Sequence, residues 1–178
     1  MTSLKFNTVK AISELSKNDF QKIKHGIYIL GFIGNQNEFK PYYAGKSMDI
    51  YSRIHTHIGH IKGGLFTLYS LEVFLEKDFT KNKKPIYQPI NLNHLLENFD
   101  KTAQNIAEEF IQKLHITWAT SDSPDDNRNW EKGVRNKIEE IIGKNVLISS
   151  IKGEVTDIKF NKNISFGFPL VEKSALSL

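Results

Sequence analysis

The stretch "HGIYILGFIGNQNEFKPYYAGKSMDIYSRIHTHIGHIK", His25 to Lys62, decides the fold. Residues 26–33 are rich in Ile, Tyr and Phe, side chains that pack well on a pleated surface, and they predict a strand. Residues 34–41 carry Gly, Asn and Pro and predict a turn. A second short strand at 42–46 then completes an antiparallel hairpin. Asp49 is a good N-cap for a helix. In that helix Ile50, Ile54, Ile58 and Ile61 recur at helical spacing and define one apolar face. Arg53, His57 and His60 follow the same spacing along one edge of that face, while His55 points elsewhere. The helix is expected to dock its isoleucines on the sheet and to present a cationic edge beside it.

Outward from this stretch, the chain continues the same alternation of elements. "SKNDFQKIKH" upstream predicts a short helix with Ser16 as N-cap. "FTLYSLEVFLE" (66–76) is compatible with strand or helix. "KDFTKNKKP" (77–85) is a polar loop with lysines at 77, 81, 83 and 84. "NLNHLLENF" and "DKTAQNIAEEFIQKL" predict helices, the second with a stripe of Ala103, Ile106, Ala107, Phe110 and Leu114. "HITWAT" (115–120) predicts a strand. Ser123 at N-cap, Pro124 at N1 and Asp126 at N3 then open a helix whose stripe is Trp130, Val134, Ile138 and Ile141, with Glu131 at its margin and Gly143 ending it. Strand-like pieces fill 146–171.

The 178 residues suit one domain with a core of its own. With no cysteine, disulfides and thiolate metal sites are excluded. No apolar run approaches the ~20 residues of a membrane span, and "MTSLKFNTVK" has no signal-like apolar stretch. The expectation is a soluble, cytoplasmic protein with no membrane partner. A net charge of +4 permits nucleic-acid binding without establishing it.

Gly26-Ile27-Tyr28 on the first strand and Tyr43-Ala44-Gly45 on the second, followed by Lys46, Arg53 and His57 and by a distal Glu131 opening a helix, resemble the GIY-YIG nuclease family. The run "YAGKSMDIYSRIHTHI" is also similar to the nuclease segment of the bacterial excision-repair incision subunit. Ala44 stands where the family usually has Ile. The resemblance implies an α+β fold: a small, mainly antiparallel three-stranded central sheet flanked by helices. The core would be residues 25–62 and 114–146, with a helical insertion at 63–113 and a C-terminal extension at 147–178. It implies a divalent-metal-dependent DNA endonuclease. Tyr28 is the general base, Tyr43 hydrogen-bonds near the water or phosphate, and Arg53 and His57 act on the phosphate, His57 as relay or ligand. Glu131 holds one Mg²⁺ or Mn²⁺. Asn145 is the candidate for the family's asparagine, with Asn136 as the other.

The residue types suit that chemistry. Phosphodiester hydrolysis needs an activated water, charge on the phosphate neutralised and a stabilised leaving oxygen. One carboxylate-held Mg²⁺, which keeps several waters, serves the last two. Arg53 supplies a charge-assisted fork, and Lys46 is placed to lower the pKa of a neighbouring tyrosine or to hold the phosphate. Lys81, Lys83 and Lys84 are candidate DNA-backbone contacts. "HTHIGH" does not make a zinc site, because His55 and His57 diverge around a helix and no third ligand lies nearby. Asp157-x-Lys159 alone is too short a match to support a PD-(D/E)xK nuclease. The absence of a linked zinc finger or helix-turn-helix points to a compact, type II restriction-type enzyme on double-stranded DNA, with a homodimer as the candidate assembly. The alternatives are a nuclease of loose or structure-directed specificity, or a catalytically weak scaffold of the same fold that binds nucleic acid.

Overall fold

The computed structural model describes residues 3–4, 6–20, 25–35, 37–72, 85–89, 91–120, 131–136, 138–139 and 165–166. Lys77, Lys81, Lys83, Lys84, Trp130, Gly143, Asn145 and the Asp157/Lys159 pair lie outside the described residues. Their expected roles therefore meet no structural observation.

The architecture is α+β with a mainly antiparallel sheet. Strands β1 (Ser3–Leu4) and β2 (Lys10–Ala11) precede the hairpin strands β3 (Gly26–Ile33) and β4 (Phe39–Ser47), and helix α1 (Ile50–Lys62) follows. Then come β5 (Leu68–Tyr69), β6 (Pro85–Tyr87), α2 (Leu92–Asn98), α3 (Lys101–Gln112) and β7 (His115–Thr120). A further helix, α4, is described at 131–136 and 138–139. Strand β8 (Ser165–Phe166) pairs in parallel with β1. The central sheet runs β2-β7-β3-β4 with every neighbour antiparallel. It has four strands, not the expected three, because the chain at Lys10–Ala11 adds to the outer edge of β7. Asn7 extends that attachment by donating its N–H to the Trp118 carbonyl at 2.8 Å.

The two faces of β3 are both covered, and the pleat divides its side chains between them. Tyr28, Leu30 and Phe32 join one core with Ile50, Ile54 and Ile61 of α1 and Ala103, Ala107 and Phe110 of α3. Ile27 and Ile29 join a second core with Ala44, Ala119, Val134 and Ile138. Helices α1 and α3 therefore lie on one face and α4 on the other. The 63–113 segment contributes Phe66, Leu68, Tyr87, Ala103, Ala107 and Phe110 to the first core.

Local sequence signals set the helix starts. Asp49, Asn91 and Asp100 each accept a backbone N–H from the residue three positions on, at 2.9 Å, and so cap α1, α2 and α3. The short helix expected after Ser16 forms as a 3-10 turn, Lys17–Phe20. No helix among the described residues is long and apolar enough to cross a membrane.

Candidate functional site

One irregularity of the hairpin builds the site. The β3–β4 register pairs Leu30 with Tyr43 but Gly31 with Pro41, so Tyr42 is left opposite no residue. This bulge turns both Tyr42 and Tyr43 toward the face that carries α1 and α3. The two tyrosines then part. Tyr42 runs under α3, edge-on to Phe110 at 5.0 Å, and donates its hydroxyl to the Thr67 carbonyl at 3.1 Å. Tyr43 instead meets Tyr28, with ring centroids 6.1 Å apart, and His57 at 4.7 Å.

Gly45 makes that meeting possible. It faces Tyr28 in register across the ladder. A Cβ there would stand 2.7 Å from Tyr28 Oη and 2.8 Å from Tyr43 Cε1. Only a residue without a side chain leaves room for both rings at this point.

At the centre, Tyr28 Oη lies 2.6 Å from His57 Nε2. Tyr28 is 0% and His57 2% exposed, so the bond is dry. Arg53, exposed on the next turn of α1, interacts with the hydroxyls of both Tyr28 and Tyr43. A guanidinium can only donate, so a bond from Arg53 ends on the Tyr28 oxygen and leaves the phenol hydrogen free to go to His57 Nε2. The neutral imidazole then carries its proton on Nδ1, an assignment made from the network. His57 Nδ1 is buried and has no partner. An unmatched buried donor costs about 1–3 kcal/mol and marks a place for an incoming acceptor.

The charge states follow from burial. Desolvation pushes the Tyr28 phenol above the ordinary tyrosine range, with Tyr43 adding to the rise and Arg53 opposing it. Desolvation, then the Arg53 charge and His60, bring His57 down to about 4. At neutral pH the pair is thus phenol and neutral imidazole. The expected cationic edge of α1 is corrected accordingly: His57 is buried and neutral, and Arg53 supplies the charge. His60 stacks on Phe66 at 6.0 Å, and Phe66 also closes over His57 at 5.4 Å. His55 is exposed, as expected.

Lys46 requires a second correction. It pairs with Ile27 in the ladder, and Ile27 belongs to the α4 core. The pleat therefore sends Lys46 out of the sheet face opposite to Tyr28 and Tyr43, and it does not appear among the charges acting on Tyr28. Lys46 is not the cation that acts on Tyr28; Arg53 is.

Glu131 lies half-exposed on α4, across the sheet from α1. One turn further on, Arg135 Nη1 donates to the Ala44 carbonyl at 3.0 Å and ties α4 to the strand that carries Tyr43 and Gly45. Asn136, the other candidate asparagine, is exposed on α4. Among the described residues, no three His, Cys, Asp or Glu side chains cluster closely enough to hold a metal ion. Mg²⁺ itself needs no such cage: it can take one carboxylate and fill its shell with waters and substrate oxygens.

The structure thus brings together Tyr28, Tyr43, Arg53 and His57, and places both Lys46 and the helix bearing Glu131 on the opposite side of the sheet. Phe66 and Arg135 were not singled out in the sequence: Phe66 reads there as an ordinary core aromatic, and Arg135 as one more charged residue of an amphipathic helix. No protein-family model, no curated protein and no solved structure matches the chain.

Proposed function

We propose that this protein is a divalent-metal-dependent endodeoxyribonuclease of the GIY-YIG kind, in the compact build of a restriction-type enzyme. The observation that carries the reading is the dry contact of Tyr28 Oη with His57 Nε2 at 2.6 Å, set beside Tyr43 and the exposed Arg53. A strand tyrosine needs no buried histidine for packing, and a merely structural pair needs no solvent-facing arginine across its mouth. The hairpin, α1 and the helix bearing Glu131 also occur in the order the motif resemblance implies.

In this reading Arg53 receives the scissile phosphate. Once paired with it, Arg53 no longer opposes a charge on His57, which makes the imidazole a better proton acceptor. Arg53 also no longer lowers the Tyr28 pKa, so the phenolate is the stronger base once its proton has left. Tyr28 takes a proton from the attacking water while passing its own to His57 Nε2. The unmatched Nδ1–H of His57 donates to a phosphate oxygen, and Tyr43 orients the water or phosphate. Glu131 would hold the metal ion, which when bound neutralises phosphate charge and stabilises the leaving oxygen.

The test is plasmid cleavage with Mg²⁺ by the wild type and by Glu131→Ala and Arg53→Ala. Cleavage by the wild type and its loss in both variants are expected, with discrete fragments for a restriction-type enzyme and nicks or a smear for loose specificity. Binding without cleavage under Mg²⁺ and Mn²⁺ would leave only the scaffold alternative standing. Full activity in Glu131→Ala would remove that residue from the site.

A further inference from the structure

On the other flank of α1 lies a cluster of rings that the proposed chemistry does not use. Tyr51 and His55 are four residues apart and share a helix face. Their rings meet edge-to-face, centroids 4.6 Å apart and planes at 74°. His55 is exposed and Tyr51 half-buried, so the pair forms an open, L-shaped aromatic corner. Met48, three residues before Tyr51 and 69% exposed, stands at the end of the same stripe. It is held outward by a locked turn: the Ser47 hydroxyl donates to the Asp49 carbonyl at 2.8 Å and accepts from the Asp49 N–H at 3.0 Å.

The corner is backed from behind. Tyr51 leans on Phe20 at 6.1 Å, and Phe20 on Trp118 at 4.8 Å. Trp118 is the β7 neighbour of Tyr28 in the sheet. A rigid file of rings therefore runs from beside the candidate base to the surface. Arg53, two positions from both Tyr51 and His55, lies on the opposite flank of the helix. The two flanks are about one helix diameter apart, roughly 10 Å. That is the reach of a nucleotide or two along an extended strand.

We propose that the Tyr51–His55 corner, with Met48 as its rim, receives an unstacked nucleobase of the DNA strand whose phosphate sits on Arg53. The substrate class is then DNA whose bases beside the scissile phosphate are unpaired or extruded from the stack. Every base has an apolar π-face, so aromatic platforms bind such nucleotides with little dependence on sequence. Arg53 on one flank and the exposed Lys17 just upstream of Phe20 supply charge for the flanking backbone. This inference rests on the nuclease reading for its phosphate, but its own contacts are testable apart from cleavage.

The experiment uses the full chain and two oligonucleotides of equal length in Ca²⁺ buffer, one a blunt duplex and one a duplex with a single-stranded overhang carrying 2-aminopurine. Tighter binding of the overhang than of the blunt duplex is expected, with a change in 2-aminopurine fluorescence. His55→Ala should reduce the overhang preference by at least about fivefold and up to roughly 150-fold, the range for one lost base–aromatic stack. His55→Phe should restore it, and Met48→Ala should weaken it less. Arg53→Ala should weaken both oligonucleotides alike. Equal binding of the two oligonucleotides by the wild type, or an unchanged preference in His55→Ala, overturns the platform. Preference lost in His55→Ala in a protein that cuts no DNA with Mg²⁺ would uphold the platform and overturn the nuclease reading instead.

Discussion

The two faces of β3 are built from alternate residues of one strand, yet they differ in kind. The α4 face sets Ile27 and Ile29 against Ala44, Ala119, Val134 and Ile138, and it is mainly aliphatic, with Phe39 as a buried ring. The α1 face buries Tyr28 just as completely but sets it against His57, Tyr43 and Arg53, with a hydrogen bond of 2.6 Å and an unpartnered Nδ1 on His57. Burial alone therefore does not separate a core position from a site position in this sheet. The separation comes from what the burial costs. The aliphatic face gains free energy for every methylene it hides. The aromatic face spends some of that gain on a desolvated polar pair, an expenditure that stability alone does not require.

The sharpest way to test this division is to change neighbouring residues of β3. Tyr28→Phe keeps the ring and its packing and removes only the hydroxyl. DNA cleavage by the folded protein is expected to fall by about a hundred- to ten-thousandfold, the usual contribution of a positioned base. Single-turnover rates at saturating enzyme measure it. The fold should lose only about 1–3 kcal/mol, from the His57 nitrogen left without its donor. Ile29→Ala, on the other face, should do the reverse. It is expected to cost about 2–5 kcal/mol in urea unfolding while the remaining native protein cuts at the wild-type rate. If both variants lost activity and stability in the same proportion, the faces would be one cooperative unit and the division would fail.

Much of this was legible in the sequence, and the parts that were not share a cause. Tyr28 stood out only through the motif resemblance, whereas the isoleucines of α1 and the shared edge of Arg53 and His57 follow from the periodicity of one helix, which survives in a bare sequence. What depends on pairing between elements does not. The bulge that turns Tyr43 toward Tyr28 is fixed by the register of two strands, and in "PYYAGK" only the motif resemblance, not the strand pattern, distinguishes Tyr42, a core residue, from Tyr43. The same register sends Lys46 to the opposite face, although it stands three residues from Tyr43 and was expected to tune a tyrosine. His57 looked cationic because its helical edge is shared with Arg53. Its neutrality comes from Phe66 and the sheet closing over it, elements the helix pattern does not contain.

His57 offers a pH test of the same comparison. Its folded-state value of about 4 lies below the ordinary histidine value of 6.5, so the unfolded chain binds the extra proton first as pH falls. Its contribution to stability is therefore complete above about pH 6.5, shrinks as the solution is acidified, and is gone below about pH 4. The expected span is on the order of 3 kcal/mol, read from urea midpoints between pH 4 and 7. Replacing His57 by Phe should flatten that slope, whereas Ile29→Ala should lower the whole curve without changing its shape. An unchanged slope in His57→Phe would mean that folding does not lower the His57 pKa, and the dry, desolvated Tyr28–His57 pair would lose its support.

The smallest expected effect concerns the Arg135 side-chain bond that joins α4 to β4. Strand β4 is an edge of the sheet, and its Ala44 carbonyl accepts from Arg135 at 3.0 Å. Arg135→Met keeps most of the stem and deletes the donor. A loss of about 1–3 kcal/mol is expected for a charged hydrogen bond to a partly buried carbonyl. Amide exchange should accelerate along β4 more than along β7, because β7 is held by neighbours on both sides and β4 by β3 alone. The Mg²⁺ concentration for half-maximal cleavage carries the further information. Glu131 stands one turn before Arg135, so loosening that tether should raise the metal requirement several-fold while leaving the Tyr28–His57 pair in place. If stability fell and the metal requirement did not move, Arg135 would serve only to close an edge strand. If both moved together, the face that carries α4 would be doing for Glu131 what Gly45 does for Tyr28: holding a side chain at a fixed place relative to β4.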